Sequence, residues 1–449
     1  MTKSGETMTV GPIWKRMVFF ALPLMLGNLF QQMYNTVDAL IVGNFLPNSA
    51  LAAVTSSGSL IFMLIGFFNG VAMGAGVIVA RYYGAQDRVN LEKAVHTTVA
   101  AGIIAGIVMT LVGIFLTPYI LVLMHTPDSV MHDAVTYLQV YFAGAFALIM
   151  YNIFVGILHA VGDSKHPLIY LIISSITNII LDYVFIRFLK TGVEGAAFAT
   201  VISQFISMTL CLIQLLRAKG PYRLQLKKLR FDKKIFVQIV KIGLPSGIQN
   251  SIIAIANLLV QSNINGFMED AISGIGTYNK IEGFGFLPIT SFSMAITTFV
   301  SQNIGAKQYD RAKKGAKFGI VTTVLLAELI GIIIFIFAEP LISAFSDKPE
   351  VIAFGVGKAR ISSLFFCLLA ASHAMAALLR GVGKSMVPMM IMLICWCIIR
   401  VTFISIVVPL THSIDLVNWV YPITWSLSTI SFLIYLKKVN FKKLVEKEI

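Results

Sequence analysis

The chain has 449 residues, of which 57% are hydrophobic and only 12% are charged, and its formal net charge is +14. Water-soluble proteins carry about 25% charged residues, so this composition excludes a soluble globular protein. The apolar runs are long and continuous rather than alternating, which excludes a transmembrane β-barrel. The composition therefore predicts an all-α polytopic membrane protein.

Twelve apolar runs are long enough to cross the hydrocarbon layer of a membrane. The first run follows a polar segment and lacks a small-residue cleavage site, so we interpret it as a spanning helix rather than a signal peptide. The linker 217–234 is rich in Lys and Arg and predicts a division into two six-helix lobes, 1–216 and 235–449, the second ending in a basic tail. The predicted spans are 16–43, 51–80, 94–118, 131–158, 167–189, 193–216, 235–264, 271–302, 316–338, 351–379, 388–409 and 415–436.

The positive charge is distributed unevenly along the chain. Most of the 35 Lys and Arg residues lie in the two terminal tails and in the even-numbered connections between spans. The odd-numbered connections hold few cations and carry acids such as Asp128, Glu194 and Asp415. The positive-inside rule then predicts that both termini are cytoplasmic. We interpret the basic clusters as topology signals that contact anionic lipid, not as a nucleic-acid-binding surface.

A ten-residue pattern occurs twice in the chain. The pattern L-x-x-V-G-x-S-x-x-P fills 158–167 and again 379–388, 221 positions later. Its glycine permits a tight turn and its proline opens the following helix. Other pairs at this offset, or one residue from it, are Gly84-Ala85 with Gly305-Ala306 and Pro23 with Pro245. An even number of spans in each half predicts parallel repeats around a central cavity, the plan of a membrane carrier.

Two further kinds of chemistry are excluded. Gly383-Lys384-Ser385 resembles the end of a phosphate-binding loop, but Leu378 stands where that motif needs glycine, so we expect no ATP hydrolysis by this chain. The four cysteines all lie in apolar segments and are interpreted as small buried hydrophobic residues rather than metal ligands. We therefore expect no cofactor and no metal, apart from a possible Na⁺ ion.

A few acids fall inside the predicted spans. An ionised carboxylate near the bilayer centre costs at least ~2.5 kcal/mol, so such acids are rare unless they have a role. The rise of an α-helix places Asp38 of span 1 and Asp182 of span 5 deep in the outer half, where Thr200 of span 6 also lies. Tyr34 and Asn178 each precede one of these acids by four residues and share its helix face.

Two acids in one site suggest ion binding. Two carboxylates in a medium of low dielectric constant repel each other, so the pair could take up a proton. Equally, the two carboxylates together with Asn and Thr oxygens could hold a sodium ion. The alternative is that Asp38 and Asp182 only hold helices together through hydrogen bonds.

The second half does not repeat these acids. Asp182 has an apolar counterpart, whereas Arg400 stands where the first half has an apolar residue. Glu282 of span 8 could pair with Arg400 or with Lys280, either as a structural ion pair or as part of a substrate or cation site. Glu328 of span 9 has no evident partner in the sequence. The halves are expected to share a scaffold but not the same chemistry.

The motifs together identify a family. In order along the chain they are A/G-L-P opening spans 1 and 7, Y-N-x-V-D in span 1, the Gly-Ala connections, both V-G-x-S-x-x-P turns, and Y-N-K-I-E-G-F in span 8. In this combination the whole chain resembles the multidrug and toxic compound extrusion (MATE) family of transporters.

The resemblance implies a V-shaped bundle of two lobes with a central cavity, and export of amphipathic, often cationic, compounds against inward H⁺ or Na⁺ flow. It implies that bending at Pro23 takes part in switching, and that Glu282 is the acid of the second lobe, with Tyr278 and Arg400 nearby. The cation site that it implies consists of Asp38, Asn178, Asp182 and Thr200, surrounded by Tyr34, Tyr137 and Asn152.

Two other functions were weighed. A flippase for lipid-linked glycans or peptidoglycan precursors needs several cavity-lining cations, and only Lys280 and Arg400 were counted inside the membrane. An intramembrane enzyme needs a catalytic dyad or a metal cluster, but the His residues are scattered and only His373 lies well inside a span. The favoured prediction is a monomeric antiporter, not an enzyme, in the cell membrane. Its expected partners are a small amphipathic substrate, a coupling cation and the bilayer.

Overall fold

The computed structural model describes the backbone of residues 7–46, 48–124 and 126–439, and the side chains within these ranges except those of 39, 42, 44, 48–57, 59, 60 and 62. In that part of the chain all regular secondary structure is helical. Helices satisfy their backbone hydrogen bonds internally, as hydrocarbon requires. The all-α fold class is therefore confirmed.

The helices follow the repeat. In the first half they are α1 (Ile13–Phe45), α2 (Asn48–Gly84), α3 (Arg88–Leu123), α4 (Asp128–Ala143), α5 (Ala145–Ala160), α6 (Lys165–Tyr183) and α7 (Val193–Arg217). In the second half they are α8 (Lys233–Ile264), α9 (Glu269–Gly305), α10 (Tyr309–Ile336), α11 (Ala338–Ser343), α12 (Pro349–Ser362), α13 (Phe366–Val382), α14 (Met386–Met392), α15 (Arg400–Thr411) and α16 (Ile414–Lys438). Short π-helical segments, Val184–Phe188 and Leu393–Ile399, continue α6 and join α14 to α15.

The number of membrane spans agrees with the sequence. Within the described residues eleven helices are long and apolar enough to cross a membrane, or twelve when α4 and α5 count as one bent span. These two helices meet at Gly144 with a bend of 45°, inside the predicted span 131–158. A Cβ at Gly144 would lie 2.4 Å from Val201 on α7, so glycine permits the close approach of the bend to that helix.

Span 10 is broken, and Glu328 holds the break. Between α12 and α13 the chain forms a 3₁₀ turn at Ser363–Phe365. The Cys367 N–H, in the first turn of α13, donates a 2.8 Å hydrogen bond to Glu328 Oε2 on α10. A carboxylate at a helix N-terminus satisfies an otherwise unpaired N–H and interacts favourably with the helix dipole. No partner of Glu328 is evident from the sequence, and in the structure its partner is the Cys367 N–H.

Two compact units divide the chain, but not at the predicted linker. The first unit contains Leu26–Gly243 together with Thr7, and the second contains Met8–Met25 and the described part of the chain from Leu244 onward. The sequence-based lobes, 1–216 and 235–449, differ from these units at both ends. The start of α1 packs in the second unit, and the start of α8 packs in the first.

The start of α1 and the start of α8 are each held by contacts with the unit in which they pack. In the second unit, Met17 and Phe20 of α1 join a buried cluster with Phe299 of α9. Ahead of α1, the Met8 N–H donates a 2.7 Å hydrogen bond to Gln302 Oε1. In the first unit, Ile235, Ile239 and Ile242 of α8 join the core cluster of that unit. The apolar faces of these helix starts therefore decide the division, and the loops do not.

The crossing points coincide with the repeated prolines. The change of unit in α1 falls between Met25 and Leu26, two residues after Pro23, and the change in α8 falls between Gly243 and Leu244, just before Pro245. A proline inside a helix removes one backbone hydrogen bond and favours bending there. Both helices thus lack a backbone hydrogen bond, and can bend more easily, near the residue where they pass from one unit to the other.

The repeated turns have the geometry that the sequence predicted. Gly162 and Gly383 both have positive φ, +87° and +99°, in the left-handed region that other residues enter at a cost. Gly383 and its neighbours Lys384 and Ser385 lie between two helices. Their setting is that of a helix–helix turn and not of a nucleotide-binding loop.

The basic linker is tied to the start of α3. Lys228 and Arg230 lie 3.5 Å and 4.0 Å from Glu92, and Lys93 lies 3.9 Å from Asp232. Asp232 accepts hydrogen bonds from the N–H groups at the start of α8, of which that of Ile235 contributes most, and they hold its pKa below the usual range of a carboxyl group. The linker is therefore part of the first unit.

A close helix contact in the first unit can be tested by substitution. A Cβ at Gly74 of α2 would lie 2.3 Å from the Gly243 backbone of α8. We expect Gly74→Val to destabilise the protein by about 1–3 kcal/mol, because the helices must separate, and to lower the melting temperature in detergent. Gly276→Val is the matched control, since nothing lies within 4 Å of its Cβ position. An equal shift for both variants would contradict the packing described.

The Asp232 cap predicts a pH dependence. Because the folded pKa of Asp232 is depressed, its stabilising contribution is present above the unfolded value of about 3.9 and is lost as the pH falls through the folded value. We expect Asp232→Asn to lower the melting temperature slightly at pH 7, and the difference from wild type to shrink as the pH falls below the unfolded pKa of about 3.9. Asp415→Asn, at an exposed position on α16, is the control. A constant difference across the pH range would refute this assignment.

Candidate functional site

The structure brings the two predicted acids of the first unit together. Asp38 on α1 and Asp182 on α6 lie within hydrogen-bonding reach of each other. Asp182 is fully buried and Asp38 is partly buried. Two carboxylates make such a contact only when a proton or a cation lies between them. We call Asp38 and Asp182 the acid pair.

A stripe of buried polar groups extends from the acid pair along α6. Ser175, Asn178 and Asp182 are spaced by three and four residues, so they lie on one helix face. All three are buried, and Ser175 Oγ, both polar side-chain atoms of Asn178 and both carboxyl oxygens of Asp182 have no geometrically satisfactory hydrogen-bond partner among the described residues. Buried polar groups are nearly always satisfied, so this stripe is an unusual concentration of free ligand atoms. Oxygen atoms of this kind are what a proton or a hard cation such as Na⁺ would bind.

Tyrosines surround the acid pair. Tyr34 and Tyr137 both interact electrostatically with Asp38 and with Asp182. The ring of Tyr137 stacks on that of Tyr141, with 6.4 Å between the ring centroids. The two predicted tyrosines are therefore placed beside the acids, and Tyr141 is an additional neighbour that the sequence did not single out.

The two remaining predicted residues do not contact the acid pair through hydrogen bonds. Asn152 donates a 2.8 Å hydrogen bond to the Leu148 carbonyl of its own helix. Thr200 is partly buried, and no hydrogen bond of its hydroxyl is found among the described residues. Their role in a cation site remains a prediction.

The second unit holds a different cluster of charges. Glu282 on α9 interacts electrostatically with Lys358 on α12 and with Arg400 at the start of α15. The two cations are 2% and 3% exposed, and the rings of Tyr278 and Tyr421 lie beside them. We call these five residues the second-unit charge cluster. Sequence reasoning named Glu282, Tyr278 and Arg400 but missed Lys358 and Tyr421.

Arg400 is fixed by polar and aromatic neighbours. Its Nε and Nη2 donate hydrogen bonds of 3.2 Å and 2.8 Å to Thr424 Oγ1 on α16. Its guanidinium lies 4.4 Å from the ring centre of Tyr421 and 5.6 Å from that of Trp396. Trp396 is held in turn by a 2.9 Å hydrogen bond from its Nε1 to Ser428 Oγ. These contacts fix the direction in which the guanidinium points.

The count of cations inside the membrane was wrong. Lys358 and Arg380 are 2% and 5% exposed within candidate spans, whereas Lys280 is exposed and lies over the Phe345 ring. A lysine near the end of a span usually extends its charge toward the interface, so the position of Lys358 alone does not predict a buried ammonium. Its signal was present all the same, since it lies seven residues inside the predicted span 351–379.

Glu282 interacts with one of its two candidate partners. Of the two cations that the sequence allowed, Arg400 interacts with Glu282 and Lys280 does not contribute. The described residues contain no ion pair shorter than 4 Å between Glu282 and a cation. The simple structural ion pair is therefore not what the structure shows.

Both clusters lie beside π-helical segments. Val184–Phe188 begins two residues after Asp182, and Leu393–Ile399 ends immediately before Arg400. A π-helical turn interrupts the regular hydrogen-bond ladder and is frequent at functional sites.

His373 lies near the second π-helical segment, and its ring packs between those of Phe286 and Trp396.

A fold of membrane-spanning helices with charges buried in two clusters is that of a solute transporter. The MatE family profile matches residues 23–184 and again 245–406, one match in each repeat. The chain belongs to the MatE family, and the resemblance seen in the sequence is confirmed.

Curated relatives extend over almost the whole chain. The probable multidrug resistance protein YoeA of Bacillus subtilis is 29% identical over 445 residues, which cover 97% of this chain and 96% of that protein. The probable multidrug resistance protein NorM of Thermotoga maritima is 27% identical over 403 residues, which cover 88% and 84%.

A solved structure has the same fold. A multidrug resistance MATE family transporter of the MOP superfamily, in an outward-facing conformation, matches with a TM-score of 0.91 at 23% identity, over 99% of both chains. The twelve-span architecture described above is therefore that of a known transporter fold.

The anchoring of Arg400 can be tested through Thr424. We expect Thr424→Val to destabilise the protein by about 1–3 kcal/mol, because the buried guanidinium loses its hydroxyl acceptor. Thr424→Ser keeps the oxygen and should restore most of the melting temperature in detergent. Thr411→Val, at an exposed position whose hydroxyl bonds only its own helix, is the matched control. A melting temperature unchanged by Thr424→Val would show that this contact does not hold Arg400.

Proposed function

We propose that the chain is a secondary antiporter that exports amphipathic, cationic organic compounds in exchange for H⁺ or Na⁺. The observation that carries the proposal is the acid pair, one fully buried and one partly buried carboxyl group in mutual reach without a neutralising partner among the described residues. The relatives YoeA and NorM are named as probable multidrug resistance proteins, which supports a drug-like cargo.

The acid pair supplies the exchange chemistry. A proton or sodium ion arriving from outside neutralises Asp38 and Asp182, and Asn178 adds an amide oxygen next to them. A cationic cargo held by the same carboxylates then loses its counter-charge and dissociates outward. Because the ion and the cargo compete for one pair of charges, the binding of either weakens the other by the same factor.

Helix α1 connects this exchange to movement. It carries Asp38 in the first unit, while its residues before Leu26 pack in the second unit. Pro23 lies next to that crossing and lets the helix bend at low cost. Ion occupancy at Asp38 would bias the bend, and the bend would change which side of the membrane the site faces. In this proposal the carrier is a monomer in the cell membrane with both termini in the cytoplasm.

The central test is neutralisation of each acid. We expect Asp38→Asn and Asp182→Asn each to lower gradient-driven dye efflux severalfold, because each removes one of the two carboxylates for which ion and cargo compete. Efflux is measured in proteoliposomes with an imposed pH or sodium gradient. Asp415→Asn, an exposed acid of α16, should leave efflux unchanged.

Coupled efflux by both variants would contradict the proposal. If both variants still couple dye efflux to an ion gradient at the wild-type rate, the acid pair is not the exchange site. Collapsing the H⁺ and Na⁺ gradients separately in the wild-type liposomes identifies the coupling ion.

A further inference from the structure

The second-unit charge cluster has an excess of positive charge. It contains two cations, Lys358 and Arg400, and one acid, Glu282. No ion pair within 4 Å joins Glu282 to either cation in the described part of the chain. Lys358 Nζ instead donates a 3.3 Å hydrogen bond to the neutral Asn279 Oδ1. Buried cations without a directly bound carboxylate are expensive and mark functional sites in membrane proteins.

The two cations converge on one aromatic ring. Lys358 Nζ lies 4.8 Å from the ring centre of Tyr421, and the Arg400 guanidinium carbon lies 4.4 Å from it. Tyr278 and Trp396 provide a second ring for each cation, at 5.6 Å in both cases. Aromatic faces stabilise cations but do not neutralise them. Both cations therefore lie close to one ring, and their positive charges are not neutralised by it.

The cluster can be reached from one face of α9. Asn279 is exposed and Glu282 is partly exposed, although Lys358 and Arg400 behind them are buried. A ligand entering along this face would meet the acid first and the two cations deeper. It would also lie against aromatic rings.

Two members of the cluster stand at repeat positions whose first-unit counterparts are residues of the predicted cation site. At the repeat offset of 221, Lys358 corresponds to Tyr137 and Tyr421 corresponds to Thr200. The first-unit position equivalent to Arg400 is Ile179, next to Asn178. The acids of the first unit stand at other repeat positions, since Asp182 corresponds to Phe403, so the two buried cations of the second unit replace neutral residues.

We infer that the second unit binds the carboxylate of aromatic organic anions and zwitterions through Lys358 and Arg400. Each cation offers N–H donors to a carboxylate, and the guanidinium can bind it in a two-point fashion. Glu282 accepts the ammonium end of a zwitterion. The relevance of this binding for export rests on the proposed function, whereas the binding itself does not.

The test uses two dyes that differ in one group. Rhodamine 110 carries a free carboxylate, and rhodamine 123 is its methyl ester. Binding to the purified full-length protein in detergent is followed by fluorescence polarisation. We expect Lys358→Gln to weaken rhodamine 110 binding by about tenfold or more, the loss of one charge-assisted hydrogen bond, and to change rhodamine 123 binding by less than about twofold. Lys280→Gln, which removes an exposed lysine of the same region, should change neither.

A second measurement does not depend on a variant that folds. With wild-type protein, benzoate should displace rhodamine 110 at concentrations where the neutral benzamide does not. Equal displacement by both compounds, or an equal loss of both dyes in a Lys358→Gln protein of wild-type melting temperature, overturns the inference. A wild-type protein that binds rhodamine 110 in this way but expels no rhodamine 123 under an ion gradient overturns the proposed function instead.

Discussion

The close approach of two carboxyl groups inside an apolar helix bundle is the constraint on which the rest of the structure depends. Asp38 and Asp182 lie within hydrogen-bonding reach, and around them Asn178 and Ser175 keep unsatisfied polar atoms. A site of this kind is stable only while a proton or cation occupies it. In the proposed antiporter, the occupied and empty forms of this site would differ in electrostatic energy, and that difference is what would couple ion and cargo.

The repeat supplies the scaffold twice and the chemistry once. The glycine turns, the prolines and the exchange of helix starts occur in both halves, because they determine how the helices pack. The charges do not follow the repeat. Lys358 and Arg400 occupy places where the first half has tyrosine and isoleucine. The first half thus carries the acid pair, whereas the second half carries two buried cations and one acid.

The sequence predicted the features that depend on local pattern. Span number and order follow from apolar length, and the meeting of Asp38 with Asp182 follows from depth and helix periodicity. It did not predict the packing of the α1 and α8 starts in the opposite units, because a proline shows where a helix can bend but not which neighbours its two ends pack against. The hydrogen bond from Cys367 to Glu328 joins residues 39 positions apart and depends on a break in span 10 that no glycine or proline announces.

Lys358 shows why a residue class alone does not decide function. A lysine near the end of a span ordinarily places its ammonium in the interfacial layer, and by that rule it has no role in the interior. Here the side chain is buried, donates to Asn279 and lies between two tyrosine rings. These neighbours belong to α9 and α16, so only the tertiary packing of three helices keeps the charge inside. The packing of these helices offsets the free-energy cost of removing the Lys358 ammonium from water. An anion bound to Lys358 would lower the electrostatic energy of the whole cluster.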